Sequence, residues 1–400
     1  MSSNDPFGDF GGEMGRFMPN MLADVMKMMQ VQDPTQFELI SQLAMSIVAD
    51  PEEKNVDPKD RMTSDELVRI AELHVADVTG MPTSPSGKPI AVHTLTRTAW
   101  IQRSLTHWKG LLGEIVRTRS QVGQETTASE GSPARDDMSA TMEKWFAMLG
   151  PTLAAMQIGS VIGHLGKRAH GQYDLLLPGD FSDGPAIVFD NRKVFASDWS
   201  LPENDVMLWM TVNDLSVHSV LSRSHVSQRL RGLILAHSTT LNIDAKALQQ
   251  QLESTMPSNM SELAEILGGS NALETTQVSE AQYQTQRELD TLVTVIRGYA
   301  DWVSRTVAER AIGARSLIEE AITRSRIERS ENEMAGDAII GVEQSFEMFE
   351  RGRRFIQGVI ERNGDRSLAQ LWVVESNLPT PAELDAPGLW LERIRLEHLK

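Results

Sequence analysis

Apolar residues recur at helical spacing over nearly the whole 400-residue chain. A 3.6-residue rhythm sustained this long excludes a sheet-dominated fold. Phe37, Ile40, Leu43, Ala44, Ile47 and Val48 form one stripe, and Leu67, Ile70, Ala71 and Val78 a second. Thr63 with Glu66 reads as a capping box ahead of that second stripe. Trp100, Ile101, Leu105, Trp108, Leu111, Leu112 and Ile115 line a third. From Leu201 the helical pattern runs almost to the end, with long helices expected over about 279–328 (with room for a break) and 337–363. The rhythm lapses once. "YDLLLPG", "AIVFD" and "KVFASD" are short apolar runs punctuated by turn residues, and they predict two or three short strands. The expected fold is mainly α, with a small β element just before a helix spanning Met207–Leu221.

The domain reading is a flexible, Met-rich segment over 1–33 and one mostly helical domain over 34–400. Mobile loops are expected near 120–137 and 255–278, where small, polar and Pro-flanked stretches fall. Met14, Phe17, Met18, Met21, Leu22, Val25, Met28 and Met29 sit at helical spacing in the first segment. A terminal helix packing on its own domain is the plainer reading, and an adaptable partner surface is the alternative.

Charge narrows the partners. The chain carries 55 acidic against 38 basic residues, a net charge of −17. It therefore lacks the Lys/Arg excess that displaces counterions from nucleic acid, and anionic membranes should repel it. It has no cysteine, which removes disulfides, thiolate metal sites and cysteine nucleophiles. "MSSNDPFGDFGGEMGRF" shows no basic-then-apolar leader pattern, and a cytoplasmic location is expected. Trp145–Gly166 is long and uncharged, but Pro151, Gln157, Ser160, His164 and four glycines favour a buried core helix over a membrane span. Gly159, Gly163 and Gly166, at i, i+4 and i+7, should let another helix approach closely; His164 reads as a core histidine.

The stretch "MLWMTVNDLSVHSVL" is an apolar helix with Asn213, Asp214, Ser216 and His218 at its centre. Burying such groups without partners costs several kcal/mol. Zinc hydrolases often carry His-Glu-x-x-His on a helix: two imidazoles one turn apart hold the metal, and the Glu activates its water. This segment occupies the corresponding slot after the β element, but with other letters.

Three further segments, "QIGSVIGHLGKRAHGQYDLLLP", "VIRGYADWV" and the ending "RGRRFIQGVIERNGDRSLAQLWVVESNLPTPAELDAPGLWLERI", carry a resemblance. Together they resemble the actinobacterial zincin-like metallopeptidases, from about Met142 to Ile394. The Gly-Gln-Tyr-Asp of residues 171–174 is the most specific marker. The resemblance implies a zincin-like helical domain and places the metal ligands at Asn213, Val217 and Arg297, and the general base at Asp214. His218 matches a further His that the family often has after the motif. Valine cannot ligate a metal, arginine repels one, and asparagine is a weak zinc ligand. No cofactor is therefore expected, and Asp214 is an inactive remnant of the base.

In place of the metal, an Asp214–Arg297 ion pair is predicted, direct or bridged by Asn213 or water. Three functions follow as expectations. The first is a catalytically silent homologue of the metallopeptidases that binds a protein or peptide partner. The second is an active metal-dependent hydrolase with zinc relocated onto Asp214 and His218, which share a helix face, although no third ligand is evident. The third is a structural or assembly protein working through its N-terminal segment. Ser216 and Ser219 lack a nucleophile elbow, so serine hydrolysis is disfavoured. The charge run from Arg324 to Glu333 reads as a solvated helix face.

Overall fold

The computed structural model describes residues 36–84, 87–129, 137–239, 241–243, 273–275, 280–329, 341–342 and 344–397. The Met-rich stripe of the first 33 residues and most of the 255–278 stretch lie outside them. The architecture is mainly α. Helices α1 (Gln36–Val48), α2 (Pro58–Thr79), α3 (Arg97–Ser129) and α4 (Asp137–Arg168) come first, followed by α5 (Phe189–Asp198), α6 (Glu203–Leu221) and α7 (Ser224–Ser238). Then come α8 (Glu280–Ala311), α9 (Arg315–Ile327) and α10 (Phe346–Asn363), with short helices beginning at Pro381 and Pro387 closing the chain. The long helical tract thus breaks between Ala311 and Arg315, and α10 is initiated by Ser345, whose hydroxyl accepts the Met348 N–H.

The β content is small. β1 (His93–Leu95) pairs in parallel with β2 (Ala186–Val188), and β3 (Leu241–Ile243) pairs antiparallel with β4 (Leu273–Thr275). Of the three predicted strand runs, only part of "AIVFD" is a strand. "KVFASD" lies in α5, because Phe189, Arg192, Phe195 and Ala196 are buried at spacings of three and four, a helical face. "YDLLLPG" forms no strand: side chains, not a neighbouring strand, take the carbonyls of Tyr173 and Asp174. Two other expectations also shift. α3 continues to Ser129, through the first part of the stretch read as a loop. α2 starts at Pro58 with Asp57 accepting the Lys59 N–H at 2.8 Å, because proline's fixed φ suits the first helical position; Thr63 lies inside the helix.

The glycine stripe does what its spacing implies. A Cβ on Gly159 would lie 2.9 Å from the Ile40 carbonyl oxygen, and one on Gly163 would lie 2.8 Å from the Ile47 Cβ. α4 therefore lies with Gly159 and Gly163 against α1, while Gly166 faces Ile101 of α3 and Val48 of α1. No helix among the described residues is long and apolar enough to cross a membrane. His164 is exposed rather than in the core, and its Nδ1 lies 2.9 Å from the Ser160 carbonyl one turn back.

α6 sits at the centre of the molecule, packed against α2, α5 and α8. Val206, Leu208, Trp209, Val212, Leu215, Val217 and Val220 are all buried, but so are Thr211, Asp214, Ser216, His218 and Ser219. The two serines turn back onto their own helix, Ser216 to the Val212 carbonyl and Ser219 to the Ser216 carbonyl. Asp214 and His218 need partners from elsewhere.

Candidate functional site

The turn Gly171–Asp174 supplies part of that partnership. Gly171 forms a bridge to Ile187 of β2, which brings the turn alongside α6. Each of its four residues has its own task. Gly171 leaves room for the Asp214 carboxylate, since a Cβ there would lie 2.0 Å from Asp214 Oδ2. Gln172 is fully buried and donates to the Ser104 hydroxyl at 3.2 Å. Tyr173 shares a 2.6 Å hydrogen bond between its hydroxyl and His218 Nδ1. The Asp174 side chain accepts the His170 N–H, and its carbonyl accepts the Gln344 amide at 2.7 Å.

The partner of Asp214 is Arg192, from α5. Its Nη2 lies 2.5 Å from Asp214 Oδ2, its Nη1 donates to the Thr211 hydroxyl at 2.8 Å, and its Nε donates to the His170 carbonyl at 2.8 Å. Arg192 is completely buried. The partner expected from sequence is Arg297, direct or bridged; Arg192 as the direct partner was not foreseen. Arg297 donates to the carbonyls of Tyr173 and Asp174, which no strand satisfies, while its charge still acts on Asp214. Burial pushes the Asp214 carboxyl up to about 7; Arg192 and Arg297 pull it down and Asp174 adds to the rise.

Asn213, Asp214 and Arg297 line one cavity of about 390 Å³. Asn213 also donates to the Ser304 hydroxyl at 3.4 Å. Val217 is fully buried in the core. His218 belongs elsewhere: with Tyr173 it lines a second cavity of about 520 Å³. Asp214 and His218 thus share a helix face in sequence but do not line one cavity. Among the described residues, no three His, Cys, Asp or Glu side chains gather to hold a metal.

The first cavity has members that sequence reasoning missed. Arg192 belongs to the Asn191-Arg192 pair that separates two runs read as strands, a turn position where a charged side chain signals nothing; with Asp190 and Lys193 beside it, no local mark set it apart as buried. Arg326 and Arg329, read as part of a solvated face, also line the cavity. The Arg326 guanidinium lies over the Phe349 ring, 3.8 Å from its centroid, and donates to Asp301 at 3.0 Å.

His218 carries a pH dependence. Burial lowers its pKa from 6.5 to about 4, with the Asp183 carboxylate pulling the other way. The fold therefore favours the neutral ring. The stability it contributes is complete above the unfolded value near 6.5 and declines as pH falls towards 4. Acidification from pH 7 to 5 should cost about 2 kcal/mol through this group. Urea titrations of the wild type and His218→Gln at both pH values check this: the variant should show the smaller loss. Equal losses would remove His218 from the account.

The fold and site define a mainly helical protein whose central helix presents polar residues to a cavity beside a Gly-Gln-Tyr-Asp turn. The family profile of zincin-like metallopeptidases matches residues 36–391, and the chain belongs to that family. A crystal structure from Chloroflexus aurantiacus, of a candidate hydrolase with a novel fold, is 19% identical. It superposes with a TM-score of 0.60 over 90% of this chain and 98% of the other, a likeness of fold. No curated protein matches in sequence.

Proposed function

We propose that this chain is a zincin-like protein that has given up zinc catalysis and retains its cavity to bind a peptide or protein partner. The observation that carries this reading is the 2.5 Å pairing of Asp214 with the Arg192 guanidinium. A general base must be free to take a proton from metal-bound water. Here the carboxylate at that position is held by a permanent cation. The residues present do not suit zinc: a second guanidinium, Arg297, lines the same cavity, and Val217 offers no lone pair. The remaining residue at a ligand position, Asn213, is a weak donor to zinc. The relocated-metal alternative is disfavoured because His218 is bonded to Tyr173 and lines the other cavity. The assembly reading rests on the N-terminal segment, and truncation of residues 1–33 with unchanged partner binding would remove it. We further read residues 34–400 as a single domain and the protein as cytoplasmic and of actinobacterial type.

Metal analysis of protein purified without chelator tests the central claim. The expected result is no stoichiometric zinc and no peptidase activity. Stoichiometric zinc that disappears in Asp214→Ala or His218→Ala would overturn it.

A further inference from the structure

The first cavity gathers arginines from across the fold. A protein of net charge −17 brings five guanidiniums to one pocket: Arg168, Arg192, Arg297, Arg326 and Arg329. They come from α4, α5, α8, α9 and the residues just after α9, so no single run of sequence explains the cluster. Among the described residues, three carboxylates share the wall, those of Asp174, Asp214 and Glu328, and a fourth, Asp301, pairs with Arg326. No lysine lines it. The apolar and aromatic part of the wall includes Phe195, Trp199, Trp209, Ile322 and Phe349, beside the polar His170, Asn213, Ser325 and Gln344.

We propose that this cavity binds a carboxylate attached to an apolar group, either the C-terminal residue of a peptide or a free organic acid. The proposal rests on the silent-site reading above, because a catalytic zinc in the same space would take the carboxylate's place. Planar guanidiniums match a planar carboxylate with paired N–H···O bonds, which a lysine point charge does not offer. Arg326 is positioned for this role. Its guanidinium plane is fixed by the Phe349 ring and its one hydrogen bond among the described residues goes to Asp301. Asp301 is itself a dependable anchor: burial alone would raise its carboxyl, but Arg326 and Arg305 hold it below the usual range. The aromatic wall accommodates the apolar group, and a volume of about 390 Å³ is suited to a small ligand or one or two terminal residues. Three carboxylates in the wall disfavour a dianion, so a monoanionic carboxylate fits better than a phosphate.

Trp199 and Trp209 line the cavity, so tryptophan fluorescence reports its occupation. The full-length protein would be titrated with N-acetyl-Ala-Ala-Phe as the free acid, with the same peptide as its C-terminal amide, with 3-phenylpropionate and with inorganic phosphate. The free acid is expected to bind at least about tenfold more tightly than the amide, and also more tightly than phosphate. Arg326→Gln and Arg329→Gln, each checked for folding by circular dichroism, should reduce that preference about tenfold or more. Peptide acid binding more tightly than 3-phenylpropionate assigns the site to peptide C-termini, and the reverse order to free acids; either supports the carboxylate pocket. Equal affinity for acid and amide, no binding of either, or preferred binding of phosphate overturns it. Zinc content and peptide cleavage are measured on the same sample. Stoichiometric zinc with cleavage overturns the silent-site reading. Metal-free, inert protein without an acid preference overturns the pocket alone.

Discussion

Arg192→Met should lower folding stability by about 3–5 kcal/mol, the usual consequence of removing one partner from a buried ion pair. Asp214 would be left 5% exposed, with no guanidinium at 2.5 Å and a carboxylate pKa already raised by burial. In the same step the Thr211 hydroxyl would lose its donor, and the His170 carbonyl would keep only the Val188 N–H. The double variant Arg192→Met/Asp214→Leu should recover much of the loss, because an apolar pair of similar volume has no desolvation to offset. Urea unfolding of the two singles and the double measures the coupling. A loss below about 1 kcal/mol in Arg192→Met would mean that the pair is not what holds this part of the core.

Gly171→Ala is expected to be nearly as damaging, at about 3 kcal/mol or more, although it adds a single methyl group. That methyl would lie 2.0 Å from Asp214 Oδ2 and 2.8 Å from its Cγ. A flexible side chain end could swing aside, but this carboxylate is short and tied to Arg192, so moving it breaks the pair. Gly171→Ala and Asp214→Ala should therefore be strongly non-additive: once Asp214 is alanine, Gly171→Ala should cost little. Thermal or urea midpoints of the four proteins decide this. A Gly171→Ala protein as stable as the wild type would show that the carboxylate has somewhere else to go.

The helices and the close approach of α4 to α1 were legible because both follow from local spacing: Gly159 and Gly163 fall on one face wherever the helix ends up. The polar centre of α6 was legible as a problem, since buried Asp214 and His218 demand partners. Which partners they take was not legible. Arg192 and Arg297 both reach the Asp214 neighbourhood, and the choice between them depends on two carbonyls, those of Tyr173 and Asp174, that lack a strand and capture Arg297. That is a tertiary fact with no local signature. The run Phe189–Asp198 misled for a related reason. Its apolar residues suit a strand or a helix, and the buried contacts of Asn191 and Arg192, to the Ala169 and His170 carbonyls, accompany the helix. Arg326 and Arg329 were read as solvated because a charge run carries no mark of the cavity that it borders.

The turn at Gly171–Asp174 meets a different neighbour at each of four consecutive positions: a carboxylate on α6, a hydroxyl on α3, an imidazole on α6, and a main-chain amide together with a glutamine. Such a segment has no spare position. Inserting or deleting one residue would hand every task to the wrong side chain at once. The residues of α6 that face it can be exchanged one by one, each requiring a single new partner. Functional drift in this fold is thus unevenly distributed: the chemistry of the helix can change in small steps, whereas the turn that receives it can change only as a block.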